Sequence, residues 1–158
     1  MTNRFSPGIF ASLIFLLLFA PATYADDAIQ AAEFDLSNYQ GKVVVLDFWA
    51  SWCVPCRRSF PWLNSMQEKF SDDGLVVIGV NVDAEPADAQ NFLQEVPARF
   101  QLVSDHAGDL ARRYEVIAMP SSYVFDREGK LITKHLGFKV KQESEYEEIL
   151  VRALASGQ

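Results

Sequence analysis

The chain is poor in sulfur and imidazole, with two cysteines and two histidines among 158 residues. Two cysteines make no disulfide scaffold, and a bond between residues three apart closes too small a loop to staple anything. A structural zinc site takes four ligands, usually two cysteine pairs or a pair plus two histidines. The two histidines, His106 and His135, lie 29 positions apart on different predicted elements, and each reads as a surface residue. Basic clusters are missing too. Lysine and arginine total 14 against 21 acidic residues, a net charge of −7, which argues against nucleic acid as a partner. No internal period of about 20–50 residues recurs, which argues against a solenoid.

A long apolar run is also missing. The candidate, Ile9–Ala20, has 12 residues, short of the about 20 needed to cross a bilayer. It follows Arg4 and ends at Pro21 and the small residues of "ATYA". That is the layout of a secretory signal peptide, residues 1–25, with cleavage after Ala25 or after Ala22. The alternative is an uncleaved membrane anchor, and only then is a membrane a direct partner. Neither cysteine lies in this segment, so a lipid anchor there is unsupported. Cleavage after Ala25 removes Arg4 alone among the charges, leaving 13 basic and 21 acidic residues, net −8. The expected location is the periplasm or another exported, oxidising compartment.

What is present suits one α/β domain over residues 26–158. Hydrophobic residues are 49% and aromatics 13%, enough for a full core. The acidic start, residues 26–33, reads as weakly ordered, and Phe34–Lys42 as an entry segment turning at Gly41. "VVVLDFW" (Val43–Trp49) and "LVVIGVNV" (Leu75–Val82) are continuous, β-branched runs typical of strands buried on both faces. Phe60, Leu63, Met66, Gln67 and Phe70 recur at helical spacing, and Pro61 inside that helix predicts a kink. Glu85–Val96 reads as a helix with Pro86 in its first turn, and Gly108–Val116 as a shorter one. Phe100–Asp105 and Ser121–Phe125 read as strands. Leu131–Phe138 should return antiparallel after a turn at Gly129. Gln142–Ser156 predicts a terminal helix with Tyr146, Ile149, Leu150, Ala153 and Leu154 inward. Alternating strands and helices predict a central mixed sheet with helices on both faces.

The two cysteines sit in "DFWASWCVPC", Asp47 to Cys56. Cys53 follows a buried strand and falls at a predicted helix N-terminus, where free N–H groups and the helix dipole favour a thiolate. Cys56 lies one turn inside and can resolve a mixed disulfide on Cys53, while Pro55 shapes the first turn. These are the parts of thiol–disulfide exchange, which needs no cofactor. Asp47 is a carboxylate in an apolar strand, costly to bury. Burial should raise its pKa and let it take the Cys56 proton; the plainer alternative is an Asp hydrogen-bonded at a strand end. Arg57 and Arg58 either add positive potential near the thiolate or are solvated. Trp49 reads as packing and Trp52 as a rim residue that touches partners. Pro120 opens a strand, and on residue grounds alone an ordinary trans bond is expected.

"VVVLDFWASWCVPC", a helix with an internal proline, and "MPSSYVFDREGKL" about 65 residues later together resemble the thioredoxin superfamily, over about residues 34–155. Within it the chain is similar to the TlpA/ResA-type branch of exported thiol–disulfide oxidoreductases, which carries an insertion like residues 83–107 here. The resemblance implies a three-layer α/β/α sandwich with a mixed sheet and an extra helix–strand insertion. It implies Cys53 as attacking and Cys56 as resolving thiol, Asp47 as the buried acid, and Pro120 as a cis-proline beside them. Trp52, Met119 and Pro120 would then bind substrate, Met119 through its backbone as in strand addition. Implied partners are disulfide-containing exported proteins and a membrane thiol–disulfide electron donor, with the chain acting as a protein-disulfide reductase. Ser59 stands where some reductive members carry Glu, and Ser121 where members devoted to cytochrome c maturation often carry an acid. The entry segment before Gly41 is short for that branch's usual N-terminal hairpin. These departures argue against a dedicated cytochrome c role. Two alternatives use the same cysteines. One is a copper-handling protein, since soft thiolates suit Cu(I), with His135 as a further candidate ligand. The other is a peroxidase of peroxiredoxin type, whose Pro and Thr/Ser before the cysteine are here Leu46 and Ala50, or Trp49 and Cys53.

Overall fold

A computed structural model describes residues 28–156. The expected leader, residues 1–25, lies outside the described residues. Among those described, no helix is long and apolar enough to cross a membrane.

The two β-branched runs form the centre of the sheet. β1 is Ile29–Gln30, β2 is Val43–Trp49, β3 is Leu75–Asn81 and β4 is Gln101–Ser104, followed by β5 at Ser121–Phe125 and β6 at Leu131–Leu136. Their order across the sheet is β1-β4-β3-β2-β5-β6. β2 pairs parallel with β3 and antiparallel with β5, and β6 pairs antiparallel with β5. Every residue of β2 is buried, which explains why it shows no polar alternation. The helices are α1 (Val54–Phe70), α2 (Pro86–Glu95), α3 (Asp109–Arg113) and α4 (Glu143–Ala155).

Alternation along β2 sorts the layers. Val43 and Val45 pack against Leu63, Met66 and Phe70 of α1 and Leu150, Ala153 and Leu154 of α4. Val44, Leu46 and Phe48 face the other way, onto Leu110 of α3, Phe34, Tyr123 and Phe125. Each fully buried Leu, Val or Phe contributes roughly 1.5–3 kcal/mol relative to exposure, so both faces bind the sheet to the elements that cover it. The predicted α/β/α sandwich is therefore the observed one, with α2 and β4 as the insertion.

Two expectations are corrected. Residues 29–30 are not loose: Ile29 stands opposite Val103 and the Ala31 N–H bonds Ser104 O at 2.8 Å. A two-residue strand covers the open edge of β4, a device too short to leave a periodic signal. The predicted helix 108–116 stops at Arg113, because Glu115 adopts φ +51°, a left-handed conformation no helix continues through. α1, by contrast, starts directly after Cys53 and holds Pro61 inside it, as the sequence predicts.

Candidate active site

The site forms where β2 ends and α1 begins. Cys53 is the N-cap of α1, in extended conformation, with Pro55 in the first turn. Its Sγ accepts the Cys56 N–H at 3.2 Å, a first-turn donor that it shares with the Cys53 carbonyl at 3.1 Å. Cys53 and Cys56 are joined as a disulfide with Cα atoms 5.3 Å apart. Cys56 is wholly buried and Cys53 keeps 3% of its surface, so an incoming thiol meets Cys53.

The loop before Cys53 is moored by a residue that sequence reasoning passed over. Buried Asp83, just past β3, accepts the Ser51 N–H at 2.9 Å on Oδ2 and the Ser51 hydroxyl at 2.9 Å on Oδ1. Asn81 Nδ2 donates to the same carboxylate at 2.8 Å. His106 bonds the Asp83 carbonyl through Nδ1 at 2.6 Å. Behind the cysteines, Trp49 meets Phe60 and Phe92 with ring centroids 5.0 and 4.8 Å away. Arg57 lies over the Phe92 ring at 5.0 Å and pairs with Glu95 at 2.6 Å. Arg57 thus takes a role that neither expectation named, bridging α1 to α2, while Arg58 is exposed.

The Met119–Pro120 bond is cis, as the resemblance implies. The Met119 side chain packs against the cluster that holds Cys53 and Cys56. The Pro120 carbonyl accepts the Gly137 N–H at 2.8 Å. Trp52 and Val54, flanking Cys53, are 67% and 63% exposed, and Ile117, two residues before Met119, is 80% exposed. Trp52 thus lies exposed beside Cys53, while Ile117 gave no sequence signal beyond being apolar in a loop.

Asp47 is fully buried. It shares its strand face with Val45 and Trp49, and so points toward α1, whose inner side begins at Cys56 and Ser59. The Ser122 hydroxyl donates to Oδ1, and Oδ2 has no partner. Burial pushes its pKa from 3.8 up to about 7, with the Ser122 bond pulling the other way. A carboxyl poised there can both accept and return a proton near neutrality.

The histidines correct an expectation. Neither is a free surface residue: His106 is tied to Asp83, and His135 is half-buried with its ring 4.6 Å from that of Tyr146. Burial lowers the His135 pKa and nearby Glu145 raises it, burial being the larger effect. Among the described residues no group of three or more His, Cys, Asp or Glu side chains converges as a metal site.

Comparison with known proteins sets this geometry in context. The AhpC/TSA family matches residues 19–134. A crystal structure assigned as the thiol:disulfide interchange protein DsbE of Chlorobium tepidum is 47% identical, with TM-score 0.74, over 76% of this chain and 85% of that one. The exposed lipoprotein thioredoxin Etrx1 of Streptococcus pneumoniae strain TIGR4 is 30% identical, with TM-score 0.65, over 75% of this chain and 90% of that one. The thiol-disulfide oxidoreductase ResA of Bacillus thuringiensis subsp. konkukian (strain 97-27) is 29% identical over 117 residues, 74% of this chain and 68% of the relative.

Proposed function

The chain belongs to the AhpC/TSA family, as a thiol–disulfide oxidoreductase of thioredoxin fold, and on that premise we propose that it is an exported protein-disulfide reductase. The observation that carries the proposal is the Cys53 Sγ at the α1 N-terminus, within hydrogen-bond reach of the Cys56 N–H. That setting favours a thiolate on Cys53 once the pair is reduced.

Cys53 Sγ attacks one sulfur of a substrate disulfide, and the other sulfur leaves as a thiolate that takes a proton. Cys56 then gives its proton to the Asp47 carboxylate and attacks Cys53 Sγ. The Cys53–Cys56 bond forms as the mixed disulfide breaks, and the substrate leaves with two electrons gained. A membrane dithiol donor restores the reduced pair. Substrate lies along Met119 and Pro120 as an added strand; Met119 has neither backbone group hydrogen-bonded among the described residues, which supports this. Trp52 covers the substrate's apolar side chains. Export is supported by the leader-like residues 1–25 and by the pneumococcal relative, an exposed lipoprotein.

Insulin reduction with dithiothreitol tests the exchange. Wild type should accelerate it and Cys53→Ala should not; equal rates refute the reading. Redox titration against glutathione tests the direction: a potential near about −270 mV fits a reductant, and one near about −120 mV an oxidant.

A further inference from the structure

Five buried side-chain polar atoms lack a hydrogen-bond partner among the described residues, and two of them, Asp47 Oδ2 and His135 Nε2, can take up a proton. These two stand at two ends of one row across the sheet. Asp47 is paired with Ser122 between β2 and β5, and Ser122 with His135 between β5 and β6. Residues directly opposed on antiparallel strands point to the same face, with Cβ atoms about 4.5–5.5 Å apart. The three side chains therefore line up on the face covered by α1 and α4. The Ser122 hydroxyl already bonds Asp47. Ser122 and His135 also line one cavity of about 20 Å³, together with Ser59, Trp62 and Tyr146. That volume suits a single water, which needs at least two polar neighbours; Ser59, Ser122 and His135 supply them.

Resting on the reading of Asp47 as proton acceptor for Cys56, we propose that His135 is a positioning residue that takes this proton onward from Asp47 through Ser122. The protonated Asp47 carboxyl gives its proton to Ser122 Oγ while the Ser122 proton passes to His135 Nε2, directly or through one water. The half-buried imidazolium then returns a proton to solvent, and Asp47 is again a carboxylate. No electrons move in this step. Burial disfavours charge on His135, which keeps the imidazolium transient, while the acidic groups facing it favour that charge. The groups that face it are, from α4, Glu145 and the Tyr146 ring, from α1 the uncharged Ser59 and Trp62, and across β5 the Asp47 carboxyl. Lys134, its neighbour in β6, lies instead over the Tyr123 ring at 4.7 Å.

An aromatic disulfide such as 5,5′-dithiobis(2-nitrobenzoate) separates the two chemical steps. Its first thiolate is released by Cys53 attack and its second when Cys56 resolves the mixed disulfide. Both phases are followed by stopped-flow absorbance over roughly pH 5–9, which brackets both groups. His135→Phe and His135→Gln should leave the first phase unchanged. They should move the pH midpoint of the second phase up by about one unit, slowing it about tenfold on the acid side. Ser122→Ala should do the same. If both His135 variants keep the wild-type pH profile, or slow both phases equally at every pH, the proposal is overturned. Asp47→Asn separates the two levels: if it slows the second phase while the His135 variants do not, the relay alone fails. If Asp47→Asn leaves the second phase unchanged, the role of Asp47 fails, and the relay with it.

Discussion

Asp47→Asn replaces a buried ionisable carboxyl with a side chain of the same shape that never ionises, and its effect on stability can be worked out with its sign. In the folded chain burial lifts the Asp47 pKa from 3.8 to about 7. Below the unfolded value both states are protonated and nothing is lost. Between the two values the unfolded chain ionises while the folded chain holds its proton, so stability falls as pH rises, and it levels off above the folded value. At about 1.36 kcal/mol for each pH unit, the whole loss is about 4 kcal/mol, of which about 3 kcal/mol falls between about pH 4.5 and about pH 8.5. That is a large share of a typical total of about 5–15 kcal/mol. The Asn variant lacks this loss, while every other titration is common to both proteins. Urea unfolding of the oxidised forms at the two pH values measures the difference. With a slope of about 2 kcal/mol per molar urea, the midpoint of the variant should gain on the wild type by on the order of 1.5 M between acid and alkaline conditions. Parallel pH dependence of the two midpoints would show that Asp47 is ionised in the folded protein and refute the reasoning.

Asp83→Ala strands the Ser51 N–H, the Ser51 hydroxyl and Asn81 Nδ2; it should cost about 3 kcal/mol in urea unfolding, and an unchanged midpoint would count against the mooring. Trp52→Ala, at an exposed site, should change stability by less than about 0.5 kcal/mol. It should slow insulin reduction severalfold and leave the reaction with a small aromatic disulfide unchanged; equal loss on both substrates would rule out a protein-contacting role.

The readable and unreadable parts of the sequence differ in how far apart the interacting residues lie. β2 and β3 show themselves because each is a run of adjacent β-branched residues, and α1 because Phe60, Leu63, Met66 and Phe70 keep helical spacing. Cys53 and Cys56 are neighbours whose chemistry follows from their own spacing. Asp47 is visible as a single charge in an apolar strand. Its partner is not visible, because Ser122 lies 75 positions away and becomes a neighbour only through the β2–β5 register. Asp83 is hidden in the same way, 32 positions from Ser51. His135 is one step further, placed by the β5–β6 pairing. A polar pair, Ser121–Ser122, opening an otherwise apolar strand was the one available sign of that row. β1 left no sign, since two residues carry no period.

The anchorage at Asp83 bears on how the protein can be trimmed or redesigned. Asp83 opens the inserted segment, Phe92 and Glu95 of that segment brace Trp49 and Arg57, and His106 closes back on Asp83 from its far end. The insertion is thus a retaining wall for the cysteine loop. A minimal version of the fold made by excising residues 84–105 would keep both thiols and lose the masonry that aims them, so the segment has to travel with the site in any chimera.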